Sequence, residues 1–206
     1  PQIVGIYDVS YRIASLLKMF IQPISTSLFP EFSNMDANNV TDKISSILNS
    51  SLKYIFIFSI PAVVGITVTG SYFATLLSVS NSPIDNTTLV SILAIGNLLW
   101  GMDRIFGTIL SSTKRTKALS KYRLTGAVTN IVFNIVLIPL YGALGAGIST
   151  VFGYCISSFL IGKSVNQSIG FSIPMKSISR ALFGSLFIYI LFQFSIATPI
   201  AIALSV

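Results

Sequence analysis

Apolar residues run along this chain in long blocks separated by short polar stretches, without the period-two alternation of a half-buried strand. Four blocks carry no charge at all, at residues 54–84, 86–102, 124–162 and 181–206. A membrane-crossing helix needs roughly 20 apolar residues at about 1.5 Å rise each. On that measure the pattern predicts an all-α, polytopic membrane protein of about six spans, at about residues 6–29, 52–72, 89–111, 124–140, 146–162 and 181–203. The first span should stop at Pro30, with a polar segment over 31–51, a Ser/Asn/Pro-rich loop over 78–88 and a basic loop over 113–123. As one helix, the third uncharged block would be roughly 58 Å long, about twice the hydrocarbon thickness, so it must fold back on itself. Pro139, Gly142 and Gly145 supply the expected turn.

Composition strengthens this picture. Of 206 residues, 52% are hydrophobic and 9% charged, whereas a soluble domain carries roughly 25% charged residues. The chain lacks histidine and has one cysteine, Cys155, inside an apolar run. The commonest general base and metal ligand is thus missing, and neither an internal disulfide nor a thiolate cluster can form. No enzyme activity, cofactor or metal is expected. The net charge of +7 does not imply nucleic acid, because the basic residues fall mostly between apolar runs, where lipid headgroups would meet them. The chain opens on Pro1 without a signal-peptide pattern and reads as a fragment of a longer protein.

Basic residues also set an orientation. Lys43, Lys53, Lys114, Arg115, Lys117, Lys121, Arg123, Lys163, Lys176 and Arg180 all fall on alternate loops and their flanking helix ends, which places those loops in the cytoplasm and both chain ends outside.

Three charges remain inside the first span. Asp8, Arg12 and Lys18 would each cost roughly 2.5 to 3.5 kcal/mol at mid-membrane, so all three should not face lipid. With Tyr11, Ser15, Gln22 and Ser25 they form one stripe at helical spacing, opposite an apolar face of Val9, Ile13, Leu16, Phe20, Ile24 and Leu28. The third span echoes this with Asn97, Gly101, Arg104 and Thr108, beside Trp100 and Asp103, and Asn130 and Asn134 share a face on the fourth. A polar stripe of this depth suggests a water-filled lumen. Arg12, Lys18 and Arg104 would then hold an anionic substrate, with Arg suited to forked phosphate contacts. Asp8 and Asp103 would orient these cations, or exchange protons or Na+ in a coupled transporter. The bland reading is that Asp8 and Arg12 form a self-neutralising i,i+4 pair while Lys18 and Arg104 snorkel to an interface. Gly142, Gly145 and Gly147 lack the strand–turn–helix setting of a nucleotide loop and are expected to serve tight turning and close helix packing.

The residues also carry a resemblance. Gly5-Ile6-Tyr7, Tyr11-Arg12-Ile13, Pro23-Ile24 and Leu28-Phe29-Pro30-Glu31-Phe32-Ser33, followed by Asn130-Ile131-Val132-Phe133-Asn134, Leu137-Ile138-Pro139 and Gly145-Ala146-Gly147-Ile148-Ser149-Thr150, are similar to the polysaccharide biosynthesis flippases of the multidrug/oligosaccharidyl-lipid/polysaccharide exporter superfamily. Gly147 stands where that family usually has Ala. The resemblance implies a two-lobed protein of the cell (cytoplasmic) membrane, with this chain as most of the C-terminal lobe and an N-terminal lobe as its partner. It further implies flipping of a polyprenyl- or dolichyl-(pyro)phosphate-linked sugar by alternating access. Arg12, Lys18 and Arg104 would then meet the phosphate, and Tyr11, Gln22, Asn97 and Trp100 the sugar. A Na+- or H+-coupled multidrug exporter, with Asp8 or Asp103 as coupling carboxylate, is the alternative within the superfamily. Outside it stands a structural membrane subunit whose stripe merely packs against another lobe.

Overall fold

The computed structural model describes the backbone of residues 2–33, 40–77 and 87–203, and its regular structure there is entirely α-helical. Six helices follow one another: α1 (Gln2–Ser33), α2 (Val40–Leu77), α3 (Thr87–Ser112), α4 (Thr116–Tyr141), α5 (Ala143–Ser168) and α6 (Met175–Ala203). Each expected span falls within one of them. The helices nevertheless outrun the apolar blocks. Residues 40–51, expected as part of a polar segment, form the first turns of α2, because Ile44, Leu48, Leu52 and Ile55 recur at helical spacing and are all buried. The basic loop expected over 113–123 shrinks to residues 113–115, and Lys117, Lys121 and Arg123 ride on the first turns of α4. α1 continues through Pro30 to Ser33. The hydroxyls of Thr26 and Ser27 donate back to carbonyls at Gln22, Pro23 and Ile24 just before this proline, the kind of local adjustment that lets a membrane helix tolerate one. Of the expected 78–88 loop, residues 78–86 lie outside the described residues, and Thr87 already belongs to α3.

The long uncharged block folds back as its length demands. Gly142 turns the chain at φ 57°, where a side chain would be strained, and its N–H donates to the Ile138 carbonyl at 2.8 Å. α4 and α5 leave this turn as an antiparallel hairpin.

α3 is the hub, packed on α1, α2 and α5, while α4 packs chiefly on α5 and α6 on α2. Lipid is as apolar as leucine, so close packing rather than water exclusion must hold these faces together. Small residues permit it. A Cβ on Gly101 would meet Ile21 at 2.8 Å, and one on Gly147 would meet Leu89 at 2.9 Å. The main core joins Leu17, Ile21 and Leu28 of α1, Leu48 and Leu52 of α2, Ile105, Phe106 and Ile109 of α3 and Ile161 and Val165 of α5.

α1 does not divide quite as its sequence suggested. Its buried stripe is Ser10, Ile13, Ala14, Leu17, Ile21, Ser25, Leu28 and Phe32, whereas Leu16, Met19 and Phe20 face outward. Ser10 and Ser25 sit inside because small side chains let α1 lie close to α3.

The outer surface is apolar where water would require polarity. On α4, Leu124, Val128, Ile131, Val132, Ile135, Val136 and Leu140 are exposed, and on α6 so are Leu182, Phe183, Leu186 and Phe187. Patches of this extent mark a surface meant for an apolar medium. Among the described residues, four helical segments, Asp42–Gly70, Thr87–Ser112, Thr116–Tyr141 and Ala143–Ser168, are long and apolar enough to cross a membrane. The all-helical, multi-pass membrane architecture expected from the sequence is the one that forms.

Candidate functional site

A groove of about 800 Å³ opens between α1, α3, α4 and α5. Its floor exists because small residues stand where large ones would fill it: Gly126 and Ala127 on α4, and Thr150, Gly153 and Ser157 on α5. Its walls are aromatic and cationic. Tyr7 and Tyr11 come from α1, Trp100 and Arg104 from α3, Arg123 from α4 and Tyr154 from α5.

Two cations flank the Trp100 ring. Lys18 Nζ lies 5.0 Å from its centroid and 4.6 Å from that of Tyr11, and it donates to the Tyr11 hydroxyl at 2.6 Å. The Arg104 guanidinium carbon lies 5.6 Å from Trp100 on the same helix. Each such contact contributes about 0.5 to 2 kcal/mol, more as water is excluded. Neither cation has a carboxylate partner among the described residues. Arg104 Nε is moreover buried with no hydrogen-bond acceptor, as is the Asn97 amide nitrogen on the same helix. A buried donor without an acceptor costs roughly 1 to 3 kcal/mol, a cost that a bound anion or hydroxyl would remove.

Asp103 does not pair with Arg104, its neighbour in sequence. It is buried, and its Oδ2 accepts from Arg123 Nε at 3.0 Å and Nη2 at 2.8 Å across the α3–α4 gap. Its Oδ1 accepts from the Ser157 hydroxyl of α5. The remaining expected residues stand apart from this cluster. Asp8 and Arg12 pair with each other at 2.9 Å, with side chains 55% and 73% exposed. Gln22 is exposed farther along α1, and neither it nor the Asp8–Arg12 pair lines the groove. At the opposite end, the Tyr7 hydroxyl lies 3.4 Å from Thr150 Oγ1, and the Asn134 amide donates to Asn130 Oδ1 at 3.0 Å, the shared face expected of those two asparagines.

The structure therefore brings together Tyr11, Lys18, Trp100, Asp103 and Arg104. It adds Tyr7, Arg123, Tyr154 and Ser157, which the sequence reading did not place in the site. Arg123 sits in sequence among loop-type charges, and its place seven residues into a helix facing Asp103 leaves no trace in spacing along either helix. Ser157 did leave one. Ser149, Gly153 and Ser157 recur every four residues, the signature of a close-packed membrane helix face.

The chain matches the family described as "Lipid II flippase MurJ" over residues 3–204. It belongs to the MurJ lipid II flippase family. Two similar proteins come from Haloferax volcanii. One is named "Probable flippase AglR", 28% identical over 178 residues that cover 85% of this chain and 37% of the relative. The other, "Probable low-salt glycan biosynthesis flippase Agl15", is 23% identical over 183 residues, covering 89% of this chain and 39% of the relative. An uncharacterised membrane protein of Methanocaldococcus jannaschii is 28% identical over 152 residues, covering 72% of this chain and 29% of its own. The chain thus spans well under half the length of these relatives. No solved structure matches it. MurJ-family membership agrees with the flippase resemblance carried by the sequence motifs, and nothing found favours the multidrug branch.

Proposed function

We propose that this chain is one lobe of a transporter that flips a lipid-linked oligosaccharide or polysaccharide precursor across the cytoplasmic membrane by alternating access. The observation that carries this reading is the pair of cations on Trp100, one of them with a buried, unpartnered N–H, inside a bundle whose outer faces are apolar. Membership of the MurJ family and similarity to glycan biosynthesis flippases support it. Lys18 and Arg104 would meet the (pyro)phosphate, and Tyr11 and Trp100 the sugar, while Asn97, buried within α3's packing and outside the groove, would not touch it, and the isoprenoid tail stays in lipid. Arg12, Asp8 and Gln22 would line the space facing the N-terminal lobe, which this reading requires as partner. The basic segments 113–123 and 163–180 would face the cytoplasm. Rocking of the lobes would re-expose the head outside, with no bond made or broken.

An ion-coupled exporter would need a carboxylate free to take up the ion. Asp8 and Asp103 are both held by arginines. The test is reconstitution of the full-length protein in liposomes, following outward movement of a polyprenyl-diphosphate-linked oligosaccharide. Wild type should move it, Arg104→Gln should slow it at least 10-fold, and Asp8→Asn should leave it independent of Na+ and of a pH gradient. Absence of movement in a folded wild type, or drug transport abolished by Asp8→Asn, would overturn the reading.

A further inference from the structure

Arg123 looked, by its position among basic residues, like a topology signal. The structure seats it with more care than a lipid-facing charge needs. Its guanidinium lies against α3 over Gly107, where a Cβ would come within 2.6 Å of Nη2. One turn earlier on α3, Asp103 receives Nε and Nη2 on a single oxygen, Oδ2. The other oxygen is taken by Ser157. Both carboxylate oxygens are therefore engaged and the Asp103 side chain is only 6% exposed, whereas the Arg123 side chain is 39% exposed, and both line the groove. Of the five N–H groups of a guanidinium, two are engaged, and the other three make no bond among the described residues.

We propose that Arg123 is a third phosphate-binding cation of the groove, and that Asp103 is the positioning residue that aims it, with Ser157 fixing Asp103 and the bare Gly107 giving the guanidinium room. This rests on the reading of the groove as a headgroup site and adds to it both a residue and a division of labour. Arg104 and Arg123 then line the groove against one carboxylate, Asp103, and Lys18 adds a third positive charge behind the Tyr11 and Trp100 rings. That surplus suits a phosphate or pyrophosphate ester, whose oxygens take forked arginine contacts well. A simple interhelical clamp would bury both partners and spend the guanidinium symmetrically on both carboxylate oxygens. Here the acid is buried and the cation is left half open.

The experiment uses the full-length protein in detergent micelles, with geranylgeranyl diphosphate as probe and geranylgeraniol as its uncharged control, measuring Kd and thermal midpoint together. Loss of charge-assisted contacts in Arg123→Gln should weaken diphosphate binding about 10- to 100-fold and leave the alcohol unaffected. Arg123→Lys, which keeps the charge without the fork, should recover only part of it. The decisive variant is Asp103→Asn. It makes the groove more positive, so charge counting alone predicts tighter binding, whereas loss of aim predicts weaker binding, by about 10-fold. Gly107→Ala, which changes no charge, should weaken binding in the same direction. Tighter or unchanged binding in Asp103→Asn, or unchanged binding in Arg123→Gln, would overturn the proposal. Arg104→Gln separates the two levels of inference. If Arg104→Gln weakens binding and Arg123→Gln does not, the role of Arg123 alone falls, and if neither does, the headgroup reading falls with it. Should Arg123→Gln melt early, the Asp103→Asn/Arg123→Gln double variant removes both charges at once, and a wild-type midpoint with wild-type binding would again refute the assignment.

Discussion

The α4–α5 hairpin rests on a contact that one methyl group should break. A Cβ on Gly126 would stand 2.6 Å from the Gly153 carbonyl oxygen and 2.8 Å from Ser157 Cβ. Backbone cannot swing aside as a side-chain tip can, so reaching ordinary contact at 3.4 Å requires α4 to move outward by about 0.8 Å. Overpacking of this kind costs about 1 to 3 kcal/mol, and the better helix propensity of alanine returns up to about 1 kcal/mol. The net loss for Gly126→Ala is thus about 1 kcal/mol. Gly65, within α2, has nothing within 4 Å of its would-be Cβ, so Gly65→Ala should gain up to about 1 kcal/mol from propensity alone. The same chemical change at two helix interiors should therefore separate by about 2 kcal/mol, roughly 30-fold in the folding equilibrium constant. The assay is equilibrium unfolding of the full-length protein in mixed micelles with increasing SDS, followed by circular dichroism. Gly126→Ala as stable as Gly65→Ala would refute the argument that the two glycine backbones touch.

Phe106 is buried against Gly162, with its ring centroid 5.0 Å from that of Phe171, and Phe106→Ala should lower stability by about 3 kcal/mol in the same unfolding assay. For orientation, Lys117 is exposed on the first turn of α4, and Lys117→Cys in a Cys155→Ser background should react with a membrane-impermeant maleimide only after the cytoplasmic side is opened. Labelling in intact cells would reverse the assignment of the basic segments.

Hydrophobic blocks made the number and order of the helices legible, because a bilayer imposes a length that sequence can be measured against. Helix ends were less so. The first turns of α2 are amphipathic, and their charges hid the buried repeat of Ile44, Leu48 and Leu52. From α1 and α3 alone, spacing brought Tyr11, Trp100 and Arg104 to one groove with Lys18 against the two rings, but the same spacing also pointed to Asp8, Arg12 and Gln22, which lie outside it. What spacing could not show is which residue of another helix meets them. Asp103 chose Arg123, twenty residues away, over adjacent Arg104, because neighbours along a helix point in different directions and a partner across a gap does not. Asp8 and Arg12, by contrast, found each other one turn apart.

The tight turn at Gly142 bears on how the protein is made. α4 and α5 touch along their length through residues close in sequence, and the turn between them needs no third element to form. A hairpin whose membrane-depth residues 124–162 carry no charge suits entry into the bilayer as one unit, each helix covering the polar side of the other. α3, which packs on α5, and the Asp103–Arg123 pair, which joins α3 to α4, then tie this hairpin to the rest of the bundle.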